Sequence, residues 1–412
     1  MNTLDTFLKR FDAENLRGEF VAKWDAALAA NPPEAYAAAF LAPEKIEVHW
    51  RMASLREDSL GPLQEMAERV RADEGLLALA AYMHWRLFQD RDPNGQWTWP
   101  APKPLEGDEV GCFHFLVALG FPPEYSAAQR ALGIPEDVIG DSCQQIGCYA
   151  FNFHRATGKA GIFPNQLSWL HVYFPPGRYY RLGRLEYQAS VYSQPFKVYR
   201  RKTDGRACAL CLSGHWYTVD GDACLAGSDR PVGAWETGFE ERDNGVFGHP
   251  VGPDARVSIE KVFLPSDEWE CVLAPGDDVL NMHIPSGGGM TPDLVRESIR
   301  SAIPFFDRHF PDKPAKAIVC SSWIFSNQLS ECLPPDSNIL ALQRMTHLVP
   351  LASSPSSGLW FVFLVQPPFD VATLPRDTSM RRAIADWLAA GNVFHHGGMY
   401  LLREEVEEWR SS

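Results

Sequence analysis

The pattern of hydrophobic residues changes once along this chain, close to residue 176, and the change divides the 412 residues in two. On the N-terminal side, apolar residues recur three and four positions apart, as in PLQEMAERVRADEGLLALAAYMHWRLF, which is the spacing of amphipathic helices. On the other side, aromatic and β-branched residues alternate with polar ones, as in RLEYQASVY, and this alternation is typical of strands. Since a chain of this length is too long for one ordinary core, we predict a helical domain over residues 1–176 and a second domain over residues 177–412.

The C-terminal part predicts a mixed sheet with flanking helices, so the predicted fold class is α+β. Its order is several antiparallel strands, followed by strand, helix, strand, helix, strand, helix and strand. The connection over residues 286–315 is long enough for a parallel βαβ crossover. The apolar runs KAIVCSSWIF and LWFVFLV are predicted as buried strands, and SNILALQRMTHL is predicted as a helix.

Composition and charge exclude several classes of function. The formal net charge is -14 and no long basic run is present, so nucleic acid is not an expected partner. No apolar stretch reaches the ~20 residues of a membrane span, and MNTLDTFLKRFDAENL lacks the apolar core of a signal peptide, so we predict a cytoplasmic address. The cysteines lack the spacing of a disulfide scaffold, and the adjacent His395 and His396 cannot easily face one ion, so we expect no metal.

The stretch HIPSGGGMTPDL joins a predicted strand to a predicted helix through three glycines. Glycines adopt positive φ and let the backbone approach a ligand closely, and the N–H groups at a helix start attract anions. Thr291 fits the N-cap position, and Pro292 fits the first helical position. The pattern indicates either a simple strand-to-helix connection or an anion site over residues 287–291.

The order of elements and this strand–glycine–helix unit resemble the GNAT acyltransferase fold. More narrowly, the chain resembles a bacterial family of two-domain proteins with a helical N-acyltransferase N-terminal domain and a GNAT-like C-terminal domain. The segments that carry this resemblance are RLGRLEYQ (181–188), HIPSGGGMTPDLVRESIRSAIPFF (283–306), CSSWIFSNQLSECLPPDSNILALQR (320–344) and LPRDTSMRRAIADWLAAG (374–391). The resemblance covers nearly the whole chain. The usual GNAT loop begins with Gln or Arg, and the segment SGGGMT has neither.

The resemblance implies a transferase whose co-substrate is acyl-CoA, either acetyl-CoA or a longer thioester. It implies that backbone amides hold the pyrophosphate and that two diverging strands admit the pantetheine arm. The expected acceptor is a small-molecule or peptide amine that attacks the thioester directly. The residues we predict to contact the coenzyme are Ile284, Gly287, Gly288, Gly289, Met290, Thr291, Ser321, Ser322 and Asn338.

Three residues are candidates for the chemistry, and each also has a structural interpretation. Glu186, a carboxylate in a strand-like run, is a general base or an ion-pair partner of Arg181 or Arg184. His283, just before the loop, is a base or a hydrogen-bonded residue that fixes the turn. Cys320, near the end of the next strand, is a nucleophile paired with His283 or a buried inert thiol.

Two alternatives to acyl transfer therefore stay open. One is a non-catalytic ligand-binding protein that uses the same fold, because a fold does not establish chemistry. The missing Gln or Arg of the loop favours this alternative. The other is a transferase or hydrolase that depends on Cys320 and His283.

Overall fold

A computed structural model describes residues 3–90, 92, 98–174, 178–354, 358–365 and 368–411. Contacts divide the chain into two units, the first comprising Met1–Glu186 with Ile284–Gly288 and the second comprising Tyr187–His283 with Gly289–Ser412. The chain therefore passes from the first unit to the second inside one strand. The boundary predicted at residue 176 lies outside the described residues.

The first unit is helical, as predicted. Its α-helices are α1 Leu4–Arg10, α2 Arg17–Val21, α3 Trp24–Ala30, α4 Pro33–Tyr36, α5 Pro43–Met52, α6 Leu60–Ala72, α7 Glu74–Phe88, α8 Asp108–Ala118, α9 Phe121–Arg130, α10 Glu136–Cys143, α11 Gln145–Thr157 and α12 Pro164–Trp169. Short 3-10 or π segments join them at Glu14–Leu16, Ala37–Leu41, Glu57–Ser59 and Leu170–Tyr173.

Local sequence explains where the central helices of this unit begin and end. The Asp73 carboxylate caps α7 by accepting hydrogen bonds from the amides of Gly75 (2.9 Å) and Leu76 (3.0 Å). Most residues of α7 are buried, as expected for a helix that is apolar around its circumference. Helix α11 ends at Gly158, whose φ of 75° is the left-handed conformation that glycine adopts without a Cβ clash.

The strands follow the helical segment in sequence. They are β1 Tyr179–Leu182, β2 Leu185–Val191, β3 Phe196–Arg201, β4 Ala207–Cys211, β5 Trp216–Tyr217, β6 Trp235–Glu236, β7 Glu240–Arg242, β8 Gly245–Pro250, β9 Val262–Pro265, β10 Trp269–Leu273, β11 Asp278–His283, β12 Ala317–Ser322, β13 His347–Pro350 and β14 Gly397–Leu402. One sheet has the order β1-β2-β11-β12-β14-β13, and another has the order β10-β3-β4-β8-β7, with β9 on β8. The remaining α-helices are α13 Pro292–His309, α14 Leu329–Cys332, α15 Asn338–Gln343, α16 Leu359–Phe363, α17 Ser379–Ala389 and α18 Arg403–Ser411.

The predicted parallel crossover is present, since β11 and β12 are parallel neighbours joined through α13. Their register contains two pairs, Leu280 with Ile318 and Asn281 with Val319. On its other side β12 pairs with β14 at six positions, as far as Ser322. The ends of β11 and β12 that lead towards the glycines therefore part from each other.

Helix α13 packs as its hydrophobic pattern predicts. The residues of its apolar face, Val295, Ile299, Ile303 and Phe306, are all buried, and so is Phe310 directly after the helix. Burial of such a stripe supplies most of the stability of an amphipathic helix, because helix propensity alone is weak. Packing along the whole of α13 therefore holds the first turn of the helix in place.

One predicted strand is wrong: in LWFVFLV, residues Leu359–Phe363 form the short helix α16. The positive φ values of Gly358 (78°) and Leu364 (58°) interrupt an extended chain on both sides, and Phe361 is 63% exposed. The strand that pairs with β14 is instead His347–Pro350, from the end of a segment predicted as helix. Hydrophobic periodicity cannot separate a short apolar strand from a short apolar helix, which is the origin of both errors.

Among the helices in the described part of the chain, none combines the length and the apolar character needed to cross a membrane.

Candidate active site

The glycine segment connects β11 to α13 through an exposed turn. Gly287 and Gly288 have positive φ values of 87° and 64°, which side chains rarely tolerate. Thr291 is the N-cap residue and Pro292 is the first residue of α13, as predicted. The Thr291 side chain makes no capping hydrogen bond, so the first turn of this 18-residue helix keeps amide donors and the positive end of its dipole for another partner.

The start of this segment is fixed by contacts inside the first unit. The Ser286 hydroxyl donates to the Cys148 carbonyl oxygen (3.1 Å), and the Cys148 thiol donates to the Ser286 carbonyl oxygen (3.2 Å). Arg184 Nη1 donates to the carbonyl oxygen of Pro285 (3.0 Å). These three bonds connect the backbone just before the glycines to α11 and to the turn between β1 and β2.

Arg184 places a guanidinium beside the glycines, although the loop itself has no basic residue. A Cβ atom built on Gly288 would lie 3.8 Å from Arg184 Nε. Burial lowers the pKa of Arg184, and the nearby Arg181 acts in the same direction. No local sequence signal connects Arg184 with this loop, and its predicted partner was Glu186.

Glu186 is a buried carboxylate with one unsatisfied oxygen. Its side chain is 1% exposed, and Oε2 accepts a hydrogen bond from the Tyr179 hydroxyl (3.0 Å). Within the described part of the chain, Oε1 has no hydrogen-bond partner. Burial raises the pKa of Glu186 to about 7, and the charge of Arg181 opposes this effect. An isolated ion pair would instead hold the pKa low, so the carboxyl is poised to exchange a proton near neutral pH.

Tyrosine rings surround this carboxylate within the first unit. The rings of Tyr173 and Tyr179 lie 4.2 Å apart, and the Tyr125 hydroxyl donates to the carbonyl oxygen of Tyr179 (3.1 Å). Burial raises the pKa of Tyr179 and of Tyr149 well above the usual value, and the charge of Glu186 contributes to both shifts. The phenols therefore stay protonated, and Tyr179 acts as a hydrogen-bond donor to Glu186.

His283 is the last residue of β11, in the second unit. Its Nε2 lies 3.1 Å from Asn281 Nδ2, and because an amide nitrogen only donates, the imidazole nitrogen accepts. Burial lowers the pKa of His283 to about 4. The ring is therefore neutral at physiological pH.

Cys320, on β12, is a buried residue whose carbonyl oxygen accepts a hydrogen bond from Gln194 Nε2 (3.2 Å). Burial raises the pKa of its thiol to about 12. A nucleophilic cysteine requires the opposite shift, because the thiolate is the reactive form. The environment thus favours the inert interpretation of Cys320 over the catalytic one.

Three other predicted coenzyme contacts, Ser321, Ser322 and Asn338, lie on different elements of the second unit, whereas Ile284 belongs to the first unit. Ser321 Oγ is 3.5 Å from Gln194 Nε2, and Ser322 Oγ accepts from the amide of Ile324 (3.4 Å). Asn338 is an exposed first residue of α15, which Ser337 caps by accepting from the amide of Leu340. Both strand serines lie where β11 and β12 have parted. Ile284, directly after β11, is half-buried.

A cavity of about 500 Å³ lies in the first unit and opens beside the first glycines. Leu55, Phe115 and Phe151 contribute apolar walls. The lining also includes the backbone of Gly287 and Gly288. Its arginine, lysine, histidine and acidic side chains are Arg56, Asp58, His154, Lys159 and Arg181. No local pattern in the sequence predicts this cavity, because its lining comes from helices and turns far apart in the chain.

No group of three or more histidine, cysteine or acidic side chains suited to a metal ion occurs in the described part of the chain. His395 and His396 are half-buried, and burial lowers the pKa of each. The Arg184 guanidinium beside Gly288 has the charge that suits an anion, and the Glu186 carboxyl has a pKa that suits proton exchange near neutral pH.

Comparison with known proteins matches both parts of the chain. The N-acyltransferase N-terminal domain model matches residues 45–174, and the GNAT-like C-terminal domain model matches residues 179–401. No curated protein sequence matches the chain at a significant level.

Solved structures share the fold over nearly the full length. The structure of an acyltransferase mutant in complex with octanoyl-CoA is 21% identical, with a TM-score of 0.62, and the match covers 97% of this chain and 98% of that one. An acyltransferase in complex with decanoyl-CoA and teicoplanin is 22% identical, with a TM-score of 0.61 and the same coverage. At these identities the similarity shows a common fold.

Proposed function

The chain belongs to the family of two-domain acyltransferases described by these two models, and from this premise we propose that it transfers an acyl group from a coenzyme A thioester to an amine. The structures with octanoyl-CoA or decanoyl-CoA support acyl-CoA as the co-substrate. One of those acyltransferases is bound to teicoplanin, and this supports a small-molecule acceptor for the present chain. The amine character of the acceptor is part of our proposal.

The observation that carries the proposal is the parting of β11 and β12 next to an uncapped helix start. Pairing between the two strands ends at Asn281 and Val319, so a narrow pantetheine arm can lie between the strand ends. The amides over residues 287–291 and the dipole of α13 then face the pyrophosphate. Arg184 adds a positive charge beside Gly288 and takes the place of the basic residue that the loop lacks.

The proposed reaction is a direct attack without a covalent enzyme intermediate. The acceptor nitrogen forms a bond to the thioester carbonyl carbon, and the carbon–sulfur bond of the tetrahedral intermediate then breaks. The nitrogen loses a proton to a general base, and the departing CoA thiolate takes up a proton. Glu186 fits the base better than His283, because an efficient base titrates near the working pH and the Glu186 pKa lies at about 7.

Calorimetry with acetyl-CoA, octanoyl-CoA and decanoyl-CoA tests this proposal. In Gly288→Asp, a carboxylate placed near Arg184 would occupy the guanidinium and repel phosphate, so we expect at least a tenfold loss of affinity. Gly205→Asp is the matched control, since Gly205 is also exposed, has a φ of 73° and has open space around its Cβ position. No binding of any of the three thioesters to the wild type would reject the proposed function.

A further inference from the structure

The charge of the first-unit cavity differs in sign from the charge of the whole chain. Three arginine or lysine side chains, Arg56, Lys159 and Arg181, line the cavity against a single carboxylate, Asp58. Over the full sequence, acidic residues outnumber basic ones and the net charge is -14. An excess of cations in one concave site of an acidic protein indicates an anionic ligand.

These cations are not equally available to a ligand. Asp58 Oδ2 pairs with Arg56 Nη2 at 2.5 Å, so part of the Arg56 charge is already balanced. Arg181 Nη1 contacts the Cys148 sulfur at 3.7 Å, and its charge also acts on Glu186. Lys159 is exposed, next to Gly158 at the end of α11. Lys159 is therefore the cation best placed to bind an added anionic group.

The same cavity presents an aromatic ring. Phe151, on α11, lines the cavity and is 36% exposed, so part of its ring is available to a ligand. The guanidinium carbon of Arg155 lies 5.9 Å from the centre of the Phe151 ring. An exposed ring next to cations is the chemistry that recognises a purine base, because the base stacks while the cations bind its phosphates.

We propose that this cavity binds the adenosine 3′-phosphate end of CoA, with Phe151 against the adenine and Lys159, assisted by Arg56, on the 3′-phosphate. The inference rests on the proposed function. Gly287 and Gly288, which belong to the segment proposed to hold the pyrophosphate, also line this cavity, and in CoA the adenosine is attached directly to the pyrophosphate. The thioester and the acceptor lie at the opposite end of the pantetheine arm. A volume of about 500 Å³ is within the range of ligand pockets.

Calorimetry with three probes tests the inference: CoA, 3′-dephospho-CoA and 4′-phosphopantetheine. For the wild type we expect CoA to bind about tenfold more tightly than dephospho-CoA, which is the scale of one charge-assisted contact. Lys159→Ala should reduce this preference to about twofold and leave the affinity for dephospho-CoA unchanged. Phe151→Ala should weaken CoA and dephospho-CoA alike by about fivefold to tenfold, because one stacked base is lost.

Neither substitution should alter binding of 4′-phosphopantetheine, which has no adenosine. Lys313→Ala is the matched control, because Lys313 is also exposed but belongs to the second unit. It should leave all three affinities unchanged.

Several results would overturn the inference without touching the proposed function. Equal affinity of the wild type for CoA and dephospho-CoA would show that the 3′-phosphate is not recognised. An unchanged preference in Lys159→Ala would exclude this cavity as its site. If both variants kept all three affinities but raised the KM for the amine, the cavity would belong to the acceptor. If the wild type bound neither CoA nor any acyl-CoA, the proposed function itself would fail.

Discussion

The candidate ionisable residues behave differently in the two units of the chain. In the first unit, Glu186 has a pKa of about 7, Arg184 donates to the carbonyl oxygen of Pro285, and Gly287 and Gly288 line a cavity that also contains cationic side chains. In the second unit, His283 has a pKa of about 4 and Cys320 has a pKa of about 12, so both are uncharged at neutral pH. The difference teaches that burial alone does not set the protonation behaviour of a candidate residue, because burial brings the Glu186 pKa towards neutrality and moves the pKa values of His283 and Cys320 away from it.

Replacing Glu186 by Gln is expected to have the largest effect on the reaction. Loss of a general base typically lowers kcat by about 10²- to 10³-fold. In the wild type, kcat/KM should rise with pH through about 7, because the base acts only when ionised, and this rise should vanish in Glu186→Gln. A variant that keeps the wild-type rate would refute the assignment. Loss of the same pH dependence in His283→Asn would transfer the role to His283.

The raised pKa of Glu186 also predicts how the stability of the protein depends on pH. The pKa of Glu186 is raised from 4.5 to about 7 by folding, so the unfolded chain releases this proton at a lower pH than the folded protein. The contribution of Glu186 to the free energy of unfolding is therefore fully present below pH 4.5. It is lost as the pH rises to about 7, by an amount on the order of 3 kcal/mol. Glu186→Gln cannot ionise.

Denaturant unfolding at pH 5 and at pH 8 measures this contribution. The stability of Glu186→Gln relative to the wild type should increase from pH 5 to pH 8 by about that amount. A constant difference between the two proteins across this range would mean that Glu186 titrates normally in the folded state.

Arg184→Gln tests whether a charged side chain of the first unit contributes to binding of the coenzyme. Removal of the guanidinium beside Gly288 should weaken acyl-CoA binding about tenfold, because one charge-assisted contact to phosphate is lost. The affinity of the variant should also depend less on salt concentration. Arg206→Gln serves as the control, since Arg206 is exposed in the second unit. Unchanged affinity in Arg184→Gln would mean that the loop amides act without it.

The sequence predicts those features that depend on local pattern. Helical periodicity and strand alternation give the α+β class, and the apolar face of α13 is readable from its spacing. The positions of Thr291 and Pro292 follow from capping preferences.

Features made by contacts between distant parts of the chain were not predictable from one sequence. Arg184 reaches a carbonyl 101 residues away, and no local signal specifies that turn. The cavity draws its lining from Ala53 to Gly288. The pKa of Glu186 depends on burial among tyrosines, which residue type alone does not reveal.

Cys320→Ala should have the smallest effect on activity. It tests directly whether the thiol in the second unit takes part in the reaction. A thiol with a pKa of about 12 is almost entirely protonated at pH 8, and its burial keeps reagents away, so iodoacetamide should modify Cys320 far more slowly than the exposed Cys271. Activity should stay within about twofold of the wild type, since no step of direct attack uses a thiolate. Peptide mass spectrometry of the alkylated protein distinguishes the two cysteines. Rapid alkylation of Cys320 together with loss of turnover in Cys320→Ala would reverse the comparison and assign the chemistry to the strands of the second unit.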